Sequence, residues 1–304
     1  MNLRAALSSL SRWRLAGTVL LGLSSLAATA QDASALRARH AALRPALESN
    51  SLGRAIHIES AHDGGDLRGD IHAVVQQPFA TAAPALQGMP RWCDILMLHL
   101  DVKMCRWSQA DGNDLLTVST ARKFDQPLES ATAVEFVYRV VASTSDYLKV
   151  QLAADQGPMG THDYRIAMEA VALDARTTFV HLSYAYNQGF GGRIATEAYL
   201  ATFGRNKVGF TIIDRKPDGQ PVYINNVRGL VERNCMRYFL ALEAYLKSLA
   251  LPPGEQLERR LRDWHAGAER YPVQLHEMER DDYVAMKRRE IQHQQAAAKG
   301  ARPN

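Results

Sequence analysis

Three short constellations hold residue types that can do chemistry. His276-Glu277 has the start of the H-E-x-x-H box, in which two histidines one helical turn apart bind zinc and the glutamate acts as base. Arg280 stands where the second histidine belongs, so the pair reads as the polar face of a terminal helix. His162-Asp163 is an acid–base or metal couple by composition. It ends the segment Asp155–His162, where Gly157-Pro158 and Gly160 already account for a turn. Gly189-Phe190-Gly191-Gly192 is glycine-rich, yet neither G-x-x-x-x-G-K-[ST] nor G-x-G-x-x-G is completed after a parallel strand. Its glycines read as a tight departure from a strand. No G-x-S-x-G elbow offers a serine nucleophile.

Cysteine usage adds no metal site, because no C-x-x-C or Cys/His spacing suits zinc. Cys93, Cys105 and Cys235 allow at most one internal bridge. Cys93 and Cys105, in consecutive predicted elements, are the best-placed pair, and three buried thiols are the alternative. Local spacing therefore yields no catalytic set, no metal and no cofactor.

The first thirty residues carry an address. Arg4, Arg12 and Arg14 form a basic n-region, Leu15–Leu26 is apolar, and Ala28-Thr29-Ala30 is an A-x-A cleavage site before Gln31. The apolar run is interrupted by Gly17, Gly22, Ser24 and Ser25 and falls short of the roughly 20 apolar residues of a spanning helix. A cleaved Sec-type signal is expected, with a periplasmic or secreted product that keeps no stable membrane anchor. Cleavage removes three Arg and no acid: Lys+Arg falls from 36 to 33 against 32 Asp+Glu, and the formal charge falls from +4 to +1. A nearly neutral chain without a basic block is not built for nucleic acid.

Periodicity supplies the elements. Ala33–Leu47 predicts a short Ala-rich helix packed on the outside, and His62-Asp63-Gly64-Gly65-Asp66 a turn between two strands. Phe79–Leu98 predicts two short helices broken at Gly88-Met89-Pro90. Val102–Trp107, Leu115–Ala121, Ala131–Ser143, Tyr147–Ala154, Tyr164–Ala172 and Thr177–Asn187 follow as strands joined by short turns, hence antiparallel. One face of these strands carries Phe136, Tyr138 and Val140, then Tyr164, Ile166 and Met168, then Val180, Leu182, Tyr184 and Tyr186. The other face carries Glu135, Arg139, Arg165, Glu169, His181, Ser183 and Asn187, which is the pattern of a curved sheet with a wet outside. Gly229–Leu249 predicts a long helix with a stripe at Val231, Cys235, Tyr238, Leu242, Tyr245 and Leu249, ended by Pro252-Pro253-Gly254.

This order resembles the START/Bet v 1-like (SRPBCC, helix-grip) superfamily: a strand, two short helices, six antiparallel strands and a long C-terminal helix gripped by the sheet. The suggestive stretches are Gly69-Asp70-Ile71-His72-Ala73-Val74-Val75 running into Pro78-Phe79, and Trp92 near the end of the helix pair. The chain also resembles exported bacterial members of that class, which imply no assigned activity. The expected organisation is a signal at 1–30, a helical segment at 31–53, a START-like α+β helix-grip domain at 54–250, a helical extension at 251–293 and a disordered tail at 294–304. Two departures stand out. Gly189–Arg228 intervenes before the long helix, with a predicted helix Ile194–Phe203 and an apolar segment Val208–Ile213. Charged helices Glu255–Ala268 and Asp281–Gln295 follow it, and from Glu255 onward ten basic residues face nine acidic ones.

The resemblance implies an apolar cavity between sheet and helix, lined by Phe136, Tyr138, Ile166, Met168, Val180, Leu182, Tyr184, Tyr186 and Phe239. The expected function is non-enzymatic shelter of a hydrophobic small molecule or lipid. A cofactor-free cyclase or hydrolase using a cavity Tyr or His, and a cell-envelope interaction protein with a filled core, are the alternatives.

Overall fold

Turn residues set the strand pairing. The computed structural model describes residues 17–121, 124, 126–201 and 207–300; the basic n-region and the last four residues lie outside them. Helix α1 (Gly17–Glu48) leads into β1 (Ile56–Asp63), which pairs with β2 (Asp66–Val75) across Gly64-Gly65. After α2 (Phe79–Ala85) and α3 (Met89–Leu96), separated at Gly88 with φ 93°, β3 (Val102–Ala110) turns into β4 (Asn113–Thr120). Asp111 and Gly112 both have positive φ, 51° and 73°, the twist that two-residue hairpins require. The meander continues through β5 (Thr132–Ser143), β6 (Tyr147–Gln156), β7 (Thr161–Ala172) and β8 (Thr178–Gln188).

All eight strands form one antiparallel sheet in the order β1-β2-β8-β7-β6-β5-β4-β3. The N-terminal hairpin thus joins the meander β3–β8 through the β2–β8 pairing, and β1 and β3 are the edge strands. Past β8 come α4 (Phe190–Ala201), a small two-stranded sheet of β9 (Ile212–Arg215) and β10 (Pro221–Tyr223), and the gripped helix α5 (Asn226–Ser248). Gly69 allows α5 to lie close on β2: a Cβ there would stand 2.5 Å from Val231 Cγ1 and 2.6 Å from Cys235 Sγ. The chain ends in α6 (Pro253–Ala268), α7 (Pro272–Leu275) and α8 (Arg280–Gly300).

Several expectations change. Val140 keeps the inner-face register, paired with Val150, but is exposed; a bulge between Val140 and Ala142 then puts Ala142 on the outer side, where it is buried. The outer face is not uniformly wet either. Ala33, Leu36, Leu43 and Leu47 of α1 form a second core with Ala142, Tyr147, Val171 and Phe179. Helix α8 continues past Gln294, where a disordered tail was expected, through Gly300, because Gln294 Oε1 accepts the Cys105 N–H at 2.7 Å. The segment Val208–Ile213 is mostly irregular, with β9 beginning only at Ile212. Of the helix predicted at Ile194–Phe203, Thr202 and Phe203 lie outside the described residues.

The insert and the extension are tied to the grip helix by buried polar groups. Glu232 on α5, fully buried, accepts from Phe210 N–H (2.6 Å), Thr211 N–H (2.9 Å), Thr211 Oγ1 (2.7 Å) and Ser60 Oγ (2.7 Å). Behind α5, Trp264 of α6 donates to Arg237 O at 3.1 Å and stacks on Tyr283 of α8. This cover is why apolar burial runs around most of α5 rather than along one stripe. Cys93 and Cys105 are joined by a disulfide that ties α3 to β3, and Cys235 is a buried free thiol.

Beneath α1 the outer face carries a transverse row. His57, His72, His181, Glu169 and Lys149 stand side by side on β1, β2, β8, β7 and β6. The His72 and His181 rings stack at 4.3 Å. His181 is held from both nitrogens, by Asp70 at 2.8 Å and Glu169 at 3.0 Å. Burial disfavours its charged form, but the two carboxylates outweigh that and raise its pKa. Burial also opposes ionisation of Asp70 and Glu169, yet their hydrogen bonds, His181 foremost, hold each at about 2. Among the described residues no group of His, Cys, Asp and Glu converges to hold a metal ion.

Candidate ligand site

The inner face of the sheet and α5 do not meet everywhere. A cavity of about 180 Å³ remains between them, with walls of Val118, Val134, Phe136, Leu152 and Ile166 from the strands, Trp92 and Leu96 from α3, and Tyr238 from α5. A side pocket of about 20 Å³ adjoins it and adds Ile95, Leu182 and Leu242. A wider trough of about 530 Å³ lies between α8 and Phe124 with residues 126–129, but its Lys103 is already paired with Glu290 at 2.6 Å. The partly open cavity between sheet and α5, where inward-facing strand residues converge, is the better candidate.

Of the nine residues expected to line it, Phe136, Ile166, Leu182 and Tyr184 do so. The other five are packed core. Met168 is fully buried, Val180 and Phe239 are 1 % exposed, and Tyr186 stacks on Tyr164 at 5.2 Å. Tyr138 turns its hydroxyl to accept the Gly88 N–H at 2.8 Å. These five lie where α2, α3 and α5 close down on the strands, so an inward direction does not make them cavity-facing. His162-Asp163 sits on the exposed β6–β7 side, where the two side chains bond only each other at 2.8 Å. Glu277 of the incomplete zinc box pairs with Lys207 and Arg237, each at 2.6 Å.

The polar end of the cavity comes from residues that periodicity did not mark: His99, Asp101, Thr120, Asn234 and Tyr238. His99 and Asp101 occupy the turn from α3 into β3. The His99 ring is 3 % exposed and stacks on Tyr238 at 4.6 Å. Its Nδ1 accepts the Asp101 N–H at 3.2 Å, while its Nε2 is buried without a hydrogen-bond partner. Burial, with Arg237 and Lys287 nearby, drives the His99 pKa well below its usual value, so the ring is neutral at pH 7. Burial raises the Asp101 carboxyl, and it likewise raises Tyr164, Tyr184 and Tyr238, leaving neutral hydroxyls around the cavity. The only sequence signal for this end was a His and an Asp two residues apart in a helix-to-strand turn.

His99 and the outer-face His72 give the fold a common pH dependence. Burial, then the His181 charge, lowers His72 to about 3. Both rings therefore bind protons more weakly folded than unfolded, and their contribution is full above about pH 6.5 and lost as pH falls below it. His181, raised, works the other way: its contribution is full below about 6.5 and is lost as pH rises through its folded value. From pH 6.5 to 5, His72 is expected to cost about 1.5 kcal/mol and His99 to add to the loss in the same direction, read as a falling urea midpoint. A flat profile over that interval would contradict the neutral assignment of both rings.

No family profile matches the chain, and no curated protein matches it. Among solved structures similar to it is norcoclaurine synthase from Thalictrum flavum, in complex with dopamine and hydroxybenzaldehyde. It is 14% identical over 45% of this chain and 83% of that one, with a TM-score of 0.32. Ara h 8.0201 is 11% identical over 64% of this chain and 99% of that one, with a TM-score of 0.35. The Zhui aromatase/cyclase from Streptomyces sp. R1128 is 11% identical over 49% and 86%, with a TM-score of 0.31. Scores of this size add nothing to what the chain's own topology establishes. The order β2, α2, α3, β3 to β8 and α5, with that long helix packed on the antiparallel sheet, is a helix-grip α+β arrangement.

Proposed function

We propose that this chain is an exported binding protein that holds a hydrophobic small molecule or lipid between sheet and grip helix. One observation carries the reading: a partly open cavity of about 180 Å³, walled mainly by apolar side chains, persists between the sheet and α5 in an otherwise packed core. Protein interiors pack densely, and a void of this size forfeits contacts unless something fills it. Export is supported by the signal-like first thirty residues and by the Cys93–Cys105 disulfide, which an oxidising compartment sustains. Just past the expected cleavage site, Asp32 pairs with Lys149 at 3.5 Å and Ala33 is buried, so the chain that would remain packs on the sheet from its start. Among the described residues no helix is long and apolar enough to cross a membrane.

The second reading, a cofactor-free cyclase or hydrolase, is favoured by a single feature, the buried His99 beside Asp101 at the cavity's polar end.

Native mass spectrometry of protein isolated from its own compartment tests the proposal directly. A polypeptide beginning at Gln31 and carrying an additional apolar mass is expected, and Ile166→Trp, on the cavity wall, should expel that mass with the fold intact. Met168→Trp is the control: with no free space beside it, the added ring should cost about 1–3 kcal/mol. Retention of residues 1–30 on a membrane-bound form would end the export reading. An apolar mass unaffected by Ile166→Trp would end the cavity reading.

A further inference from the structure

We propose that the cavity takes an uncharged compound of single-ring size bearing one hydrogen-bond acceptor, such as a ketone or aldehyde, whose oxygen is received by His99 Nε2–H. This rests on the binding reading above and narrows it to a ligand class.

Size comes first. A dry apolar cavity of roughly 150 Å³ holds a benzene ring, and sites for drug-sized ligands run from about 300 Å³ upward. At about 180 Å³, with about 20 Å³ in the side pocket, this cavity fits a ring and one small substituent. A long acyl chain does not fit. The walls suit a ring: Phe136, Tyr164, Tyr184 and Tyr238 form a chain of edge-on and tilted contacts with centroids about 6 Å apart.

The acceptor follows from His99. Because Nδ1 is occupied by the Asp101 N–H, the neutral ring carries its proton on Nε2. That N–H is buried and unpartnered, and it belongs to a ring that lines the cavity. A buried donor without an acceptor is costly, and the occupant of the cavity is the group placed to relieve it. Stacking on Tyr238 fixes the ring plane, so the N–H is presented in one direction.

The lack of charge follows from the neighbours. The two nearby cations are already paired, Arg237 with Glu277 at 2.6 Å and Lys287 with Glu290 at 2.8 Å. An anionic ligand would meet the Asp101 carboxyl with no free counter-charge. A cationic one would offer the His99 donor nothing to receive.

Acetophenone and α-methylstyrene share size and shape and differ by oxygen against methylene, so they isolate the hydrogen bond. By calorimetry on the mature chain, acetophenone is expected to bind at least tenfold tighter, equivalent to about 1.4 kcal/mol. In His99→Phe the ratio should collapse toward one, while His99→Gln, which keeps a donor near the Nε2 position, should retain most of it. The carbonyl stretch of acetophenone bound to the unaltered protein should move to lower wavenumber than in hexane, a readout that needs no variant to fold. Equal affinities for the two compounds, or an unshifted stretch, overturn this inference and leave the binding reading standing. Palmitate binding one-to-one where neither ring compound binds overturns the size argument alone. No binding by any of the three removes the reading on which the inference rests.

Discussion

Glu232→Ala is expected to lower the stability of the folded chain by about 3–5 kcal/mol. The carboxyl group is fully buried and takes four hydrogen bonds, from two backbone amides and two hydroxyls on the insert and β1. Its removal strands donors that cannot reach water, and each such group costs about 1–3 kcal/mol without full additivity. Glu232→Gln keeps one acceptor oxygen and should lose about half as much. The check is a pair of urea unfolding curves monitored at the aromatic signal. A loss below 1 kcal/mol in the alanine variant would show that the insert is held to α5 by other contacts.

Deleting α8 from Arg280 onward is expected to have the largest effect of all, turning a well-behaved chain into one that aggregates. The edge of the sheet at β3 is covered by this helix and not by another strand. Lys287 Nζ donates to Val102 O and Tyr283 Oη to Leu98 O, both at 2.7 Å, and Gln294 accepts from Cys105 N–H at 2.7 Å. An uncovered edge strand offers its free N–H and C=O groups to another chain. Size-exclusion chromatography of the refolded truncation should show species much larger than those of the full chain. Lys287→Met is the milder probe. It removes one cation whose burial has already pulled its pKa to about 8, and should cost about 2–4 kcal/mol while the chain remains soluble. A soluble monomeric truncation would mean that the edge is protected without α8.

The strands were legible because their turns are written in residue types. Asp111-Gly112 and Gly64-Gly65 can hardly be anything but hairpin ends, and the inward set Tyr164, Ile166, Leu182 and Tyr184 follows from a period of two. What that period cannot give is depth. Met168 and Ile166 point the same way, yet one is sealed and the other borders open space, since what lies above each depends on how α3 and α5 descend on the sheet. Ala142 shows a further limit: one extra residue in β5, Val141, reverses the facing of all that follows. His99 and Asp101 sit in a turn with no periodicity, so nothing in the local pattern separates them from ordinary loop residues. Their role comes from Tyr238, more than a hundred residues later in the chain, closing over them.

Helix α1 carries a consequence for the order in which the molecule is assembled. Its seat on the outer face is built from Tyr147, Val171 and Phe179, and its Arg37–Asp146 contact spans 109 positions of the chain. Made by the ribosome before the strands, α1 has nowhere to dock until β6, β7 and β8 have emerged and paired. Contacts of such separation form late and slowly. In the interval Ala33, Leu36, Leu43 and Leu47 present an unshielded apolar stripe on the part of the chain that has waited longest, where a chaperone or a second copy of the chain would find it first.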